Sequence, residues 1–207
     1  ASPPANSEAA IVGKAAPEEV RRHLPAEAVV VSIAAGVELA ALSDWLGGHA
    51  RIVRAMPNTP AKVGLGMTGL YATPACGPRE RALADALFAA VGERIWTASE
   101  AMIDAVTAVT GSGPGYVFHF MAALEQGAVE LGFAPAEARR LAVSAFRGAA
   151  ALAAAEDAAL SKLQDRVTSQ GGTTHAALSH MREAGVAEAI ARAVHCARRR
   201  ARELAAG

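Results

Sequence analysis

The rhythm of the chain changes near Ser99, and that change limits the possible folds more than any other feature. Before it, short apolar runs alternate with helical patterns. After it, no strand pattern appears. Ala9–Gly13, Ala28–Ile33, Ala50–Ala55, Met67–Ala72 and Arg94–Thr97 read as strands, being short, apolar and bounded by turn residues. Pro17–Leu24, Glu38–Leu46 and Pro78–Val91 read as helices between them, two with proline at a first-turn position. Strands alternating with helices imply a parallel α/β sheet, whose ligands sit outside the carboxyl ends of the strands. Ala34-Ala35-Gly36 and Met56-Pro57-Asn58-Thr59-Pro60 both fall there. From Glu100 onward the pattern is helical: Ala101–Thr110, Pro114–Leu131, Pro135 to about Ala155, Leu160–Val167, Thr173–Ala184 and Val186–Ala205. The expected organisation is an α/β domain over 1–98 and an all-helical domain over 99–207.

The second domain is too apolar for its size. Val117, Phe118, Phe120, Met121, Leu124 and Val129 cannot all face one core. A helix apolar on most sides is normally buried, so a large subunit interface is expected; a compact monomeric bundle is the alternative. Charge gives no hint of a polyanionic partner. Lysine plus arginine and aspartate plus glutamate number 20 each, so neither nucleic acid nor membrane is expected to bind. Arg198, Arg199, Arg200 and Arg202 read as a solvated helix end. Cys76 and Cys196 form no Cys-x-x-Cys pair, and the histidines lack ligand spacing, with His175 and His180 five apart. No metal is expected. Without a signal peptide or an apolar run long enough to span a bilayer, a cytoplasmic setting is expected.

Two loops carry candidate chemistry. Between helical patterns lies Asp165-Arg166-Val167-Thr168-Ser169-Gln170-Gly171-Gly172-Thr173-Thr174-His175. Adjacent glycines let a backbone approach a ligand closely. The following helix start offers unpaired N–H groups, hydroxyls and the positive end of the helix dipole, a pocket suited to a carboxylate. The same residues would also serve as an ordinary interhelix turn. In Met56-Pro57-Asn58-Thr59-Pro60 the prolines remove donors and stiffen the chain. It reads either as a locked turn or as a rigid lip holding Asn58 towards a polar ring.

These stretches resemble a known family when taken together. Val31-Ser32-Ile33-Ala34-Ala35-Gly36, Arg54-Ala55-Met56-Pro57-Asn58-Thr59-Pro60-Ala61, Asp104-Ala105-Val106-Thr107 running into Gly111-Ser112-Gly113-Pro114, and Val167-Thr168-Ser169 with Gly171-Gly172-Thr173-Thr174 occur in the order and spacing of pyrroline-5-carboxylate reductase. The resemblance covers about Val29 to Leu204. It implies part of a Rossmann nucleotide-binding domain followed by a helical dimerisation and substrate-binding domain, in a homodimer that can assemble further. The implied reaction reduces 1-pyrroline-5-carboxylate to L-proline with hydride from NADPH or NADH, the last step of proline biosynthesis. By the same resemblance Ser169, Gly171, Gly172, Thr173 and Thr174 bind the substrate carboxylate. Lys14, Ala34, Ala35, Gly36, Met56, Pro57 and Asn58 border the cofactor, and Thr107 or Thr110 lies near the ring nitrogen's proton.

The sequence departs from that pattern at its front. A Rossmann domain grips pyrophosphate with a Gly-x-Gly-x-x-Gly turn between its first strand and helix. The chain has no such turn, and family order would put it before Ala1. Lys14 stands in Val12-Gly13-Lys14-Ala15-Ala16-Pro17 where the family has a Val-Lys-Pro turn, and Gln170 stands where proline is usual. Two expectations follow: a reductase whose first half-sheet lies outside this sequence, or a truncated non-catalytic homologue that keeps the dimer and the carboxylate pocket. On either, these 207 residues by themselves are expected to bind NADPH weakly and turn over poorly.

Overall fold

A computed structural model of the chain describes residues 9–12 and 17–206. Lys14 lies outside the described residues. The order is β1 (Ala9–Val12), α1 (Pro17–His23), β2 (Val29–Ser32), α2 (Leu39–Trp45), β3 (Ile52–Met56), a 3-10 turn (Thr59–Val63), β4 (Gly66–Ala72), α3 (Pro78–Ala89) and β5 (Gly92–Trp96). Then come α4 (Ala101–Val106), a π-helical turn (Thr107–Gly111), α5 (Gly113–Glu130), α6 (Pro135–Ala155), α7 (Leu160–Arg166), α8 (Thr173–Glu183) and α9 (Val186–Ala206). The chain divides into two compact units, residues 1–114 with 194–207 and residues 115–193.

The first unit is built on a five-stranded sheet in the order β1-β2-β3-β4-β5. Val29, Val30 and Val31 are all buried, as expected of a strand covered on both faces. Odd residues of β2 and β3, namely Val29, Val31, Val53 and Ala55, join Leu70, Cys76 and Phe88 in one apolar cluster. Even residues, Val30 and Ile52, join Val37, Leu39, Leu42 and Leu46 in another. The two clusters are the two faces of the sheet, one covered by α3 and the other by α2. Pro78 opens α3, and the Gly77 N–H donates to Glu80 Oε2 at 2.9 Å, so this helix start is satisfied from within. Burial among these groups pushes the Cys76 thiol above its ordinary value.

The sheet is mostly parallel but not wholly so. β1, β2 and β3 run parallel, and so do β4 and β5, yet β4 is antiparallel to β3. The expected parallel α/β sheet is present, with this one pair as its departure. The cause is the link. Residues 57–65 are fewer than the dozen or so that a parallel crossover needs, so the chain can only turn back on itself. The 3-10 turn makes that return.

The second unit is helical. Ala138 and Ala142 of α6 are buried, but no residue of α5 is. Phe118 is 64% exposed and Leu131 83%, with Leu124, Leu141 and Leu152 also outside. A cavity of about 470 Å³ lies between the starts of α5 and α9, lined by Tyr116, His119, Phe120 and Ile190 among others. Among the described residues no helix is long and apolar enough to cross a membrane.

One polar atom in the sheet is out of place. Thr68 is buried on β4, and its Oγ1 has no hydrogen-bond partner among the described residues. Burying an unpaired hydroxyl is costly, and valine has the same shape without it. Thr68→Val is expected to raise stability by about 1 kcal/mol in urea denaturation; a loss of that size would show that the hydroxyl has a partner.

Candidate active site

Ser32 pairs with Arg54 in the register of β2 and β3, so the carboxyl ends of these strands lie side by side. Beyond β2 the chain passes through buried Ala34 and exposed Ala35 to Gly36, where φ is 70°. The Ala34 N–H donates to Ser32 Oγ at 3.3 Å. Met56 ends β3, Pro57 and Asn58 follow, and all three are half-buried. Small residues thus follow one strand end and a stiff polar lip the next, and at Gly36 the last turns of α9 come close, since a Cβ there would meet the Leu204 carbonyl oxygen at 3.0 Å.

Asn58 holds this lip in place. It precedes the 3-10 turn but does not cap it. Instead its Oδ1 accepts the Met67 N–H at 2.9 Å, and its Nδ2 donates to the Thr110 carbonyl at 2.9 Å. One side chain thus ties the link, the start of β4 and the π turn together. An amide has two donors and two acceptor positions. One N–H and one lone pair of Asn58 therefore remain, a set that matches the carboxamide of a nicotinamide. The residues present fit the ring end of a dinucleotide.

The π turn completes this side. The Ser112 N–H reaches back to the Thr107 carbonyl at 2.9 Å, which closes the wider turn. Thr107 Oγ1 donates to the Ile103 carbonyl at 2.8 Å, and Thr110 Oγ1 donates to the Val106 carbonyl at 3.0 Å. Both hydroxyl hydrogens are thereby committed to the helix. Each oxygen can still accept. The turn lies close to β4 because Gly69 has no side chain: a Cβ there would meet Val106 Cγ1 at 2.7 Å. Met56 pairs with Gly69 across the antiparallel ladder. The first unit therefore brings Met56, Asn58, Thr107 and Thr110 together.

The second unit holds Ser169, Gly171 and Gly172 between α7 and α8, and Thr173 and Thr174 at the start of α8. Thr168 Oγ1 donates to the Gln164 carbonyl at 2.6 Å and ends α7. A tight turn follows, with the Gly172 N–H donating to the Ser169 carbonyl at 3.0 Å. Gly171 has φ 73°, which a side chain would strain. A Cβ on Gly172 would clash with Ser169 Oγ, so the second glycine makes room for that hydroxyl. Gly172 is the N-cap residue of α8, and no side chain caps this helix. Ser169 and Thr173 are exposed and Thr174 half-buried. The arrangement is a helix start with open N–H groups and hydroxyls beside them, which suits a carboxylate.

One group escaped the sequence reading. Arg54 on β3 is 4% exposed and bonds Glu100 and Asp104 of the segment leading into and through α4. Its signal was an arginine inside an otherwise apolar strand, followed by acidic residues four apart at the start of a helix.

Loss of the Asn58 amide leaves a backbone donor and acceptor partly buried and unpaired. Asn58→Ala is expected to cost about 1–3 kcal/mol in urea denaturation. A cost within experimental error of zero would mean that the bridge does not hold the lip.

Comparison with known proteins bears on both halves. Residues 100–204 match the family model described as pyrroline-5-carboxylate reductase dimerisation. A pyrroline-5-carboxylate reductase of Pseudomonas aeruginosa is 40% identical over 192 residues, covering 93% of this chain and 70% of that protein. A solved pyrroline-5-carboxylate reductase structure from Coxiella burnetii matches with a TM-score of 0.90 at 36% identity, over 96% of this chain and 76% of that one. The Plasmodium falciparum pyrroline carboxylate reductase, solved with NADP bound, matches with a TM-score of 0.83 over 91% of this chain and 75% of that one. At 23% identity this last likeness is one of fold.

Proposed function

This chain belongs to the pyrroline-5-carboxylate reductase family, and from that premise we propose that it reduces 1-pyrroline-5-carboxylate to L-proline with NADPH or NADH as hydride source. The observation that carries the reading is the uncapped start of α8 behind Gly171 and Gly172, with Ser169, Thr173 and Thr174 around it. The substrate is a small cyclic imine with one carboxylate. Fixed donors at a helix start recognise that group and the helix dipole favours its charge.

Ala34, Ala35, Gly36, Met56, Pro57 and Asn58 would hold the ring end of the cofactor. When bound, the reduced nicotinamide supplies the hydride. The protein's share is then mainly orientation: a carboxylate held at one end fixes where the imine carbon can be. The committed hydrogens of Thr107 and Thr110 support an accepting role for this turn. The oxygen of Thr107 or of Thr110 would accept the single N–H of a protonated imine rather than donate to it, which favours the charged form with its electrophilic carbon. No covalent intermediate is required.

We also propose that the chain works as a homodimer that can assemble further, in the cytoplasm. The uncovered apolar residues of α5 and α6, such as Phe118, Leu124 and Leu141, support an interface made by the helical unit. So does the match of residues 100–204 to a dimerisation family.

The test is NADPH oxidation by the full-length protein with and without 1-pyrroline-5-carboxylate. Substrate-dependent oxidation is expected, and its absence would overturn the reading. Gly172→Ala pushes the Ser169 hydroxyl aside, so it is expected to raise the KM for 1-pyrroline-5-carboxylate about tenfold with little change in the KM for NADPH. An equal rise in both would count against the carboxylate site.

A further inference from the structure

Arg54 stands two residues before Met56 on the α2 face of the sheet, where it is nearly inaccessible. A charge at that depth is costly unless it is paired and hydrogen-bonded. Its Nη1 donates to Glu100 Oε1 at 3.0 Å and its Nη2 to Asp104 Oδ1 at 3.4 Å. Glu100 Oε1 also accepts the backbone N–H of Leu39 at 2.8 Å. Leu39 opens α2, and the residue before it, Glu38, makes no side-chain cap, so Glu100 satisfies a helix start from a distance. One cation and two carboxylates thus join three segments: the end of β3, the start of α2, and α4.

Two of the segments carry residues of the ring site, and the third carries the residues placed at the substrate's imine nitrogen. Ala34, Ala35 and Gly36 lead into α2, Met56 and Asn58 follow Arg54, and Thr107 and Thr110 follow Asp104. Apolar side chains of similar volume would fill this space with less desolvation. The ionic group adds direction, since a planar guanidinium shared between two carboxylates fixes angle as well as distance. We infer that Arg54, acting through Glu100 and Asp104, is a positioning residue: it fixes the separation of the three segments between which a nicotinamide ring lies. Its functional consequence rests on the reductase reading above.

The test compares Arg54→Lys with a neutral triple variant, Arg54→Met with Glu100→Gln and Asp104→Asn, in the full-length protein. Lysine keeps the charge but cannot bond both carboxylates as a fork. The triple variant removes the charges together, so that none is left buried alone. The readouts are NADPH affinity by fluorescence titration, L-proline affinity, KM and kcat for each substrate, and the folded fraction by circular dichroism. In whichever variants fold, NADPH affinity is expected to fall about tenfold and kcat by a similar factor, with L-proline affinity within about twofold of wild type. A residue that only stabilises the fold would lower the folded fraction and leave NADPH affinity of the folded protein unchanged. That result, in either variant, would overturn the proposal. If the wild-type protein fails to turn over 1-pyrroline-5-carboxylate, the reductase reading fails instead, and the NADPH titrations still decide whether the clamp shapes the ring site.

Discussion

The short return from β3 to β4 is the constraint on which the first unit's site depends. Too short for a crossover, the link forces antiparallel pairing. That pairing sets Gly69 opposite Met56. A side chain at Gly69 would hold α4 away from the sheet, and its absence lets Val106 come down onto β4. The π turn then arrives beside Met56 and within reach of Asn58. Each step follows from the one before: link length sets strand direction, strand direction sets register, and register decides which residue has to be glycine.

Polar groups then fix what packing leaves free. Asn58 uses half of its amide on backbone groups from two other segments. Arg54 draws the end of β3, α4 and the start of α2 onto one ionic centre. The second unit works differently. The start of α8 is left open, with an uncapped helix and a serine hydroxyl lodged in the space of a missing side chain. A site for a flat ring benefits from rigid walls, whereas a site for a carboxylate needs donors that nothing else has taken.

Much of this was legible in the sequence. The alternation before Ser99 and the helices after it reproduce the element order, because apolar periodicity and proline at helix starts are local signals. The Gly171-Gly172 turn and the start of α8 could be read for the same reason. The direction of β4 could not, since a run such as Met67–Ala72 looks the same either way. The length of the preceding link was the available signal. The π turn was read as ordinary helix, because its wider hydrogen bond changes no side-chain type between Thr107 and Gly111. Asn58 could be seen to be held by its prolines, but its partners at Met67 and Thr110 are distant in sequence. Arg54 was visible as a charge in an apolar strand, yet nothing local showed that Glu100 and Asp104 would meet it.

The assignment of the start of α8 to the substrate carboxylate is open to direct structural test. Its most direct test is a crystal structure of the full-length protein with L-proline bound. The proline carboxylate is expected within about 3 Å of Ser169 Oγ and of the N–H groups that open α8. A proline whose carboxylate is held by other residues, with the Ser169–Thr174 turn making no contact to it, would overturn that assignment.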